Sequence, residues 1–308
     1  MTIIIPIHAV MTGLLAGALF SMSVLGVITG ITAPLIPVFL LVLMGMIYGR
    51  AGIHTAALAA LPSLFFTAPL PEALLIVATY IIPSVLMVRT LMMALLINKK
   101  PPVMIWSSLG SAILAASLYG AFYYGAMIAT DNALYQQVIQ QMQTQFNMAD
   151  IELEPDMVHI ARTMIDTYPH IILAMEYWVM MMGITAALFF AHFVADTLGM
   201  QRRPELQLKP FAPPLLLPFV IAIGSACSLL PYSTFAAAAQ TATLIALLPY
   251  FFSGLASIHA TLRGMEHTVI LFIVFYCITV LFVNWTLIAI TLYGLMRHIT
   301  SLNRSYFR

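Results

Sequence analysis

The chain has 308 residues, of which 62% are hydrophobic and only 7% charged, with a mean hydropathy of +1.00 and a formal net charge of +1. Such a charged share lies far below that of soluble domains, and a near-neutral balance with Lys and Arg scattered over several gaps excludes a nucleic-acid surface. What remains is one all-α, polytopic integral membrane bundle spanning residues 1–308.

Residues 1–8 carry no Lys or Arg and no small-residue cleavage site follows, so a removable signal peptide is not expected. Apolar runs follow at about 9–30, 34–48, 52–70, 71–98, 103–130, 169–199, 215–230, 235–262 and 268–296, each able to cross a hydrocarbon core of roughly 30 Å. The second and third runs are short, meet at Arg50 and Gly52, and have prolines at their outer ends. They read as a tight transmembrane hairpin around which the rest is arranged.

Arg50, the pair Lys99 and Lys100, and the group Arg202, Arg203 and Lys209 fall in alternate gaps. The positive-inside rule then places the N-terminus on the cytoplasmic side of an inner membrane and residues 131–168 outside it. Nine crossings would leave Arg297, Arg304 and Arg308 outside, whereas a hairpin at Asn284 and Trp285 would make ten. The expectation is eight to ten transmembrane helices with the C-terminus preferred in the cytoplasm.

The outer segment is an extracytoplasmic insertion with helical spacing of its own: Leu134, Tyr135, Val138, Ile139 and Met142, then Met157, Ile160, Ala161 and Met164. Two short amphipathic helices are expected, lying on the membrane surface, closing the mouth of the domain, or meeting a partner. Asp150, Glu152, Glu154 and Asp156 lack the Gly and terminal Glu of a helix-loop-helix calcium loop, so they read as a solvated acidic turn. Cys227 and Cys277 stand far apart in apolar runs and read as small core residues.

Ala9, Gly13, Gly17 and Ser21 recur every four residues in the first run, a stripe on which another helix can dock closely, in a partner or in the same chain. Ionisable and amide groups inside the bilayer tend to face cavities. Arg89, Glu176 and Gln240 are therefore the candidate substrate-binding residues, against snorkelling for Arg89 and an interfacial seat for Glu176. Toward the cytoplasmic side His192 and Asp196, and His259 and Arg263, stand four apart, with His54 at similar depth. If gathered they would form a polar cluster able to relay protons or hold a metal; as separate residues they are solvated or capping groups. No Gly-x-Ser-x-Gly, His-Glu-x-x-His or phosphate-binding loop occurs, so no catalytic residue, cofactor or metal ligand is assigned, and active transport would need a separate ATPase module or an ion gradient.

The passage APLIPVFLLVLMGMIYGRAGIHTAALAAL, with Pro34, Pro37, Gly45 and Gly49, and the passage LPYFFSGLASIHATLRG, with Pro249, Gly254 and His259, resemble the bacterial membrane-protein family called domain of unknown function 2232. The likeness extends to a five-helix start, an outer polar insertion, Tyr168–Pro169 opening the next helix, and a terminal Leu-Tyr-Gly-Leu before a basic tail. In that family an acidic residue follows the terminal Gly, whereas here Gly294 leads to Arg297. More distantly, the first half is similar to the substrate-capture subunits of energy-coupling-factor vitamin transporters and to rod-shape-determining membrane proteins. The first likeness implies that the stripe Ala9, Gly13, Gly17 and Ser21 docks on a membrane partner. Metal-transporting members carry His after Met1, where this chain has Thr2, so the metal version is not implied. Two readings follow: a transporter-like protein that captures an unknown small molecule and docks on a partner, or a non-transporting envelope scaffold.

Overall fold

A computed structural model describes residues 7–24, 34–97, 108–130, 169–199, 213–214, 216–230 and 234–306, together with Gln136, Gln140, Thr144, His159 and Thr163. Among them every regular element is a helix: α1 (Ile7–Val24), α2 (Leu35–Tyr48), α3 (Arg50–Thr67), α4 (Leu70–Ile76), a π-turn (Val77–Ile81), α5 (Ile82–Ile97), α6 (Ser108–Ala129), α7 (Pro169–Thr197), α8 (Leu216–Ser228), α9 (Thr234–Ala246), α10 (Leu248–Arg263), α11 (Thr268–Leu281) and α12 (Val283–Tyr306). The all-α membrane bundle is the observed class. By length and composition four described stretches can cross a membrane, Leu70–Met92, Ala112–Ala129, Pro169–Thr197 and Thr234–Arg263, with shorter apolar helices beside them. The nine apolar runs are thus unequal in length.

The hairpin of α2 and α3 forms with one residue between its arms. Gly49 takes φ 69° and ψ −147°, a region open essentially to glycine alone, which reverses the chain without a loop. Gly52 then lies on the Met44 carbonyl across the hairpin, where an added Cβ would meet that oxygen at 2.2 Å.

Along the stripe of α1 the approach is just as close. A Cβ on Gly13 would meet the Ala56 carbonyl oxygen at 2.2 Å and one on Gly17 the Ala60 oxygen at 2.2 Å, while Ala9 and Ser21 are buried. Ser63 donates to the Leu14 carbonyl at 3.1 Å, Ser21 to the Gly17 carbonyl at 2.9 Å, and Thr67 to the Ser21 hydroxyl. Rising numbers on α1 meet rising numbers on α3, so the two run parallel. The docking face implied for a partner is therefore occupied by α3 of the same chain.

Elsewhere the core is built of Ala, Leu, Ile, Val and Met with a few aromatic side chains, from Phe20 and Leu41 through Met87, Met92, Met180 and Met181 to Phe251 and Phe252. The run 235–262 bends at Leu247 into α9 and α10, and Pro249 opens α10 where a missing N–H costs no helix bond. The run 268–296 breaks at Phe282, directly before Asn284 and Trp285, into α11 and α12. α12 packs on α10 backbone to backbone: a Cβ on Gly254 would meet the Ile290 oxygen at 2.2 Å, and one on Gly294 the Tyr250 oxygen at 2.0 Å. Since Gly254 faces Ile290 while Tyr250 faces Gly294 and His298, the pair is antiparallel.

The packing of α12 fixes the direction in which the tail runs relative to α10. The break at Phe282 gives two helices, but α11 does not form the antiparallel partner of α12 that a ten-helix hairpin requires. α12 runs back along α10, away from Arg263. Arg297 therefore lies toward the end of α10 opposite Arg263. Of the insertion at 131–168, the described Gln136, Gln140, Thr144, His159 and Thr163 are helical and exposed. The apolar positions assigned to its two helices, and Asp150, Glu152, Glu154 and Asp156, lie outside the described residues, as do Lys99, Lys100, Arg202, Arg203 and Lys209.

Candidate functional site

The most chemically loaded region forms where the π-turn, α6 and α7 meet. Pro83 has no N–H to return to the Thr79 carbonyl, and the chain widens just before it: the Ile82 N–H bonds five residues back, to the Val77 carbonyl. The widened turn holds Thr79 and Tyr80 in the bundle. Thr79 Oγ1 and the Tyr124 hydroxyl share a hydrogen bond of 3.3 Å, and the Tyr119 hydroxyl donates to the Ala78 carbonyl at 3.1 Å. Tyr80 meets Phe20 of α1 with ring centroids 6.1 Å apart.

On α6, Tyr119 and Tyr123 are one turn apart and stack at 5.9 Å, and Tyr123 meets Tyr124 edge-on at 5.3 Å. Tyr124 in turn meets Tyr177 of α7 at 5.4 Å. Gly120 makes this last contact possible, since a Cβ there would fall 2.2 Å from the Tyr177 ring. The Tyr177 hydroxyl can then reach the Ala116 carbonyl, to which it donates at 2.6 Å. That anchor sets the rotation of α7 and so the direction of its neighbour, Glu176.

Glu176 retains accessible surface, yet the phenols of Tyr80 and Tyr124 lie within its electrostatic reach. Accessibility decides what a ligand can touch, so the carboxylate is the reachable charge of an otherwise aromatic centre. A carboxylate within electrostatic reach of clustered phenols suits a cation, which gains Coulomb attraction from the one and quadrupole attraction from ring faces it can stack on.

The three candidate binding residues do not share one site. Gln240 Oε1 is 2.8 Å from His170 Nε2, and Thr241 donates to the His170 carbonyl at 3.0 Å, which makes Gln240 part of the tie between α7 and α9. Trp178 strengthens the same tie by donating to the Leu244 carbonyl at 2.9 Å. Arg89 is exposed on α5, ten residues beyond Thr79, roughly 15 Å along the helix.

The residues of the expected polar cluster are likewise distributed. His54 stands with Arg89 and Arg50, whereas His259 bonds the Tyr276 hydroxyl at 2.7 Å and packs on Phe272 with centroids 4.7 Å apart, close to Arg263. His192 is half-buried and Asp196 exposed on α7. Among the described residues no three His, Cys, Asp or Glu side chains come together in metal-ligand geometry, so the convergence of His54, His192, Asp196 and His259 that a metal centre needs does not occur there.

Sequence reasoning singled out Glu176 and passed over the tyrosines of the neighbouring helices. Tyr119, Tyr123 and Tyr124 at helical spacing, together with Pro83 four residues after Thr79, were the available signals. No family model matches the chain, and neither a curated protein nor a solved structure matches it.

Proposed function

We propose that this membrane protein is transporter-like and captures a small organic cation at the centre formed by Glu176, Tyr80, Tyr119, Tyr123 and Tyr124. The observation that carries this reading is the accessible carboxylate of Glu176 set against clustered phenols beside a π-turn. An ionisable group at such a position is costly unless it meets a counter-charge or water, and π-turns within helices are frequent at functional sites. The likeness to domain of unknown function 2232 and to vitamin-capture subunits belongs to the same proposal. Docking through Ala9, Gly13, Gly17 and Ser21 does not, because α3 fills that face; a membrane partner or a separate ATPase module would have to approach another surface.

The test is thermal unfolding of the purified protein in detergent against a panel of small amines and quaternary ammonium compounds. At least one amine is expected to stabilise the native chain, with the shift abolished in Glu176→Gln and unaffected by Gln240→Leu. A panel without effect on the native chain would end the cation reading.

The envelope-scaffold reading, without transport, is favoured by a different observation, the filling of the core by apolar side chains, chiefly Ala, Leu, Ile and Met. It predicts that assembly proteins co-purify from native membranes and that Glu176→Gln leaves their recovery unchanged.

A further inference from the structure

Between α3 and the α4–α5 segment lies an open groove of about 250 Å³, lined by His54, Ala57, Leu58 and Leu61 on one side and by Val77, Ile81, Ile82, Val85 and Leu86 on the other. The spacing on α3 puts its four residues on one face, and the same holds for the facing helix. Apart from His54 at one end, the lining is aliphatic.

The cationic end is defined by helical periodicity. Arg50 lies one turn before His54 on the groove face of α3, and Arg89 lies one turn beyond Val85 on the groove face of α5. The two helices are joined at their other ends through Ala68 and Pro69, so they run antiparallel and bring both arginines to the same mouth. Both guanidinium groups bear electrostatically on the His54 ring. Neither has a carboxylate partner among the described residues. Loop charges place Arg50 at the cytoplasmic face, where anionic headgroups collect basic side chains.

We propose that this groove binds an anionic phospholipid of the surrounding bilayer, with one acyl chain along Ala57, Leu58, Leu61, Ile81 and Val85 and the phosphate between Arg50 and Arg89 beside His54. An aliphatic trough closed at one end by two cations complements an amphiphile with a negative head. A zwitterionic lipid offers the same chain but no net charge. The site is separate from Glu176, although Val77 and Ile81 on its wall belong to the turn that carries Thr79 and Tyr80.

The experiment is native mass spectrometry of the full chain from nanodiscs of phosphatidylcholine containing one-fifth phosphatidylglycerol. The wild type is expected to retain one phosphatidylglycerol in preference to phosphatidylcholine. Arg50→Gln with Arg89→Gln should weaken that retention by about 30-fold, on the scale of one surface charge contact per arginine. Arg50→Lys with Arg89→Lys should keep most of it, and Arg263→Gln all of it. Leu58→Trp, which fills the trough and leaves the charges in place, should lower it too, with circular dichroism and elution volume verifying the fold of each variant. Equal retention of the two lipids by the wild type, or undiminished retention in the double Gln variant, would overturn the proposal. So would a dimer, holding no lipid, that dissociates in that variant, because a second copy would then be the occupant.

Discussion

Gly120 should be worth more to this protein than the hydrogen bond it permits. In Gly120→Ala the new Cβ would stand 2.2 Å from Tyr177 Cζ and 2.6 Å from its hydroxyl oxygen. An ordinary contact needs well over 3 Å, so either the ring leaves or α6 and α7 part. Departure strands a buried hydroxyl, at about 1–3 kcal/mol, and repacking around the added methyl costs a further 1–3 kcal/mol or so. The sum is roughly 2–6 kcal/mol. Tyr177→Phe keeps the ring and removes only the donor to Ala116, a bond of the kind that averages about 0.6 kcal/mol inside membranes. Reversible unfolding in mixed micelles, followed by circular dichroism, measures both. A double-mutant cycle adds the discriminating step: once Tyr177→Ala has emptied the space, Gly120→Ala should cost almost nothing more. Equal effects of Gly120→Ala and Tyr177→Phe, or strict additivity in the cycle, would refute the claim that Gly120 acts through the Tyr177 ring.

Gly49→Ala should destabilise the chain by about 1–3 kcal/mol, because φ 69° with ψ −147° is closed to a residue with a Cβ; unfolding in the same micelles reads it, and a neutral result would mean the hairpin turn is held differently. Gly294→Ala should separate α12 from α10, since the atoms it meets, the Tyr250 oxygen at 2.0 Å and the Gly254 nitrogen at 2.9 Å, are backbone and cannot rotate away. A cysteine pair placed across that contact should cross-link in the native background and lose its cross-link in the variant. For topology, Glu266 and Thr300 should lie about 33 Å apart along the antiparallel pair, near the thickness of the hydrocarbon. With Cys227 and Cys277 replaced, single cysteines at those two positions should react with impermeant reagents from opposite sides, and labelling from one side alone would contradict the antiparallel packing of α10 and α12.

Much of the fold was legible because hydrocarbon imposes a simple rule: long apolar runs become helices, whatever their neighbours. The reversal at Gly49, between two short runs, could be read for the same reason, since neither arm was long enough to leave slack. Gly13 and Gly17 were readable as a close-packing face but not by destination, because a stripe of small residues fits a partner and an intramolecular helix equally well. Gly254 and Gly294 form a comparable contact from single positions on separate helices, and nothing in spacing pairs them.

At the candidate site the division has the same origin. The sequence alone determined a membrane bundle and marked Glu176 as a charge requiring explanation, since both follow from transfer costs that each residue carries with it. Only the tertiary structure decided that Gln240 is used by His170, that Arg50 and Arg89 both bear on His54 at one end of an aliphatic trough, and that Tyr80 and Tyr124 lie within electrostatic reach of Glu176. Those outcomes depend on helix rotation and on which helices become neighbours, quantities fixed by packing between distant segments and absent from any local pattern.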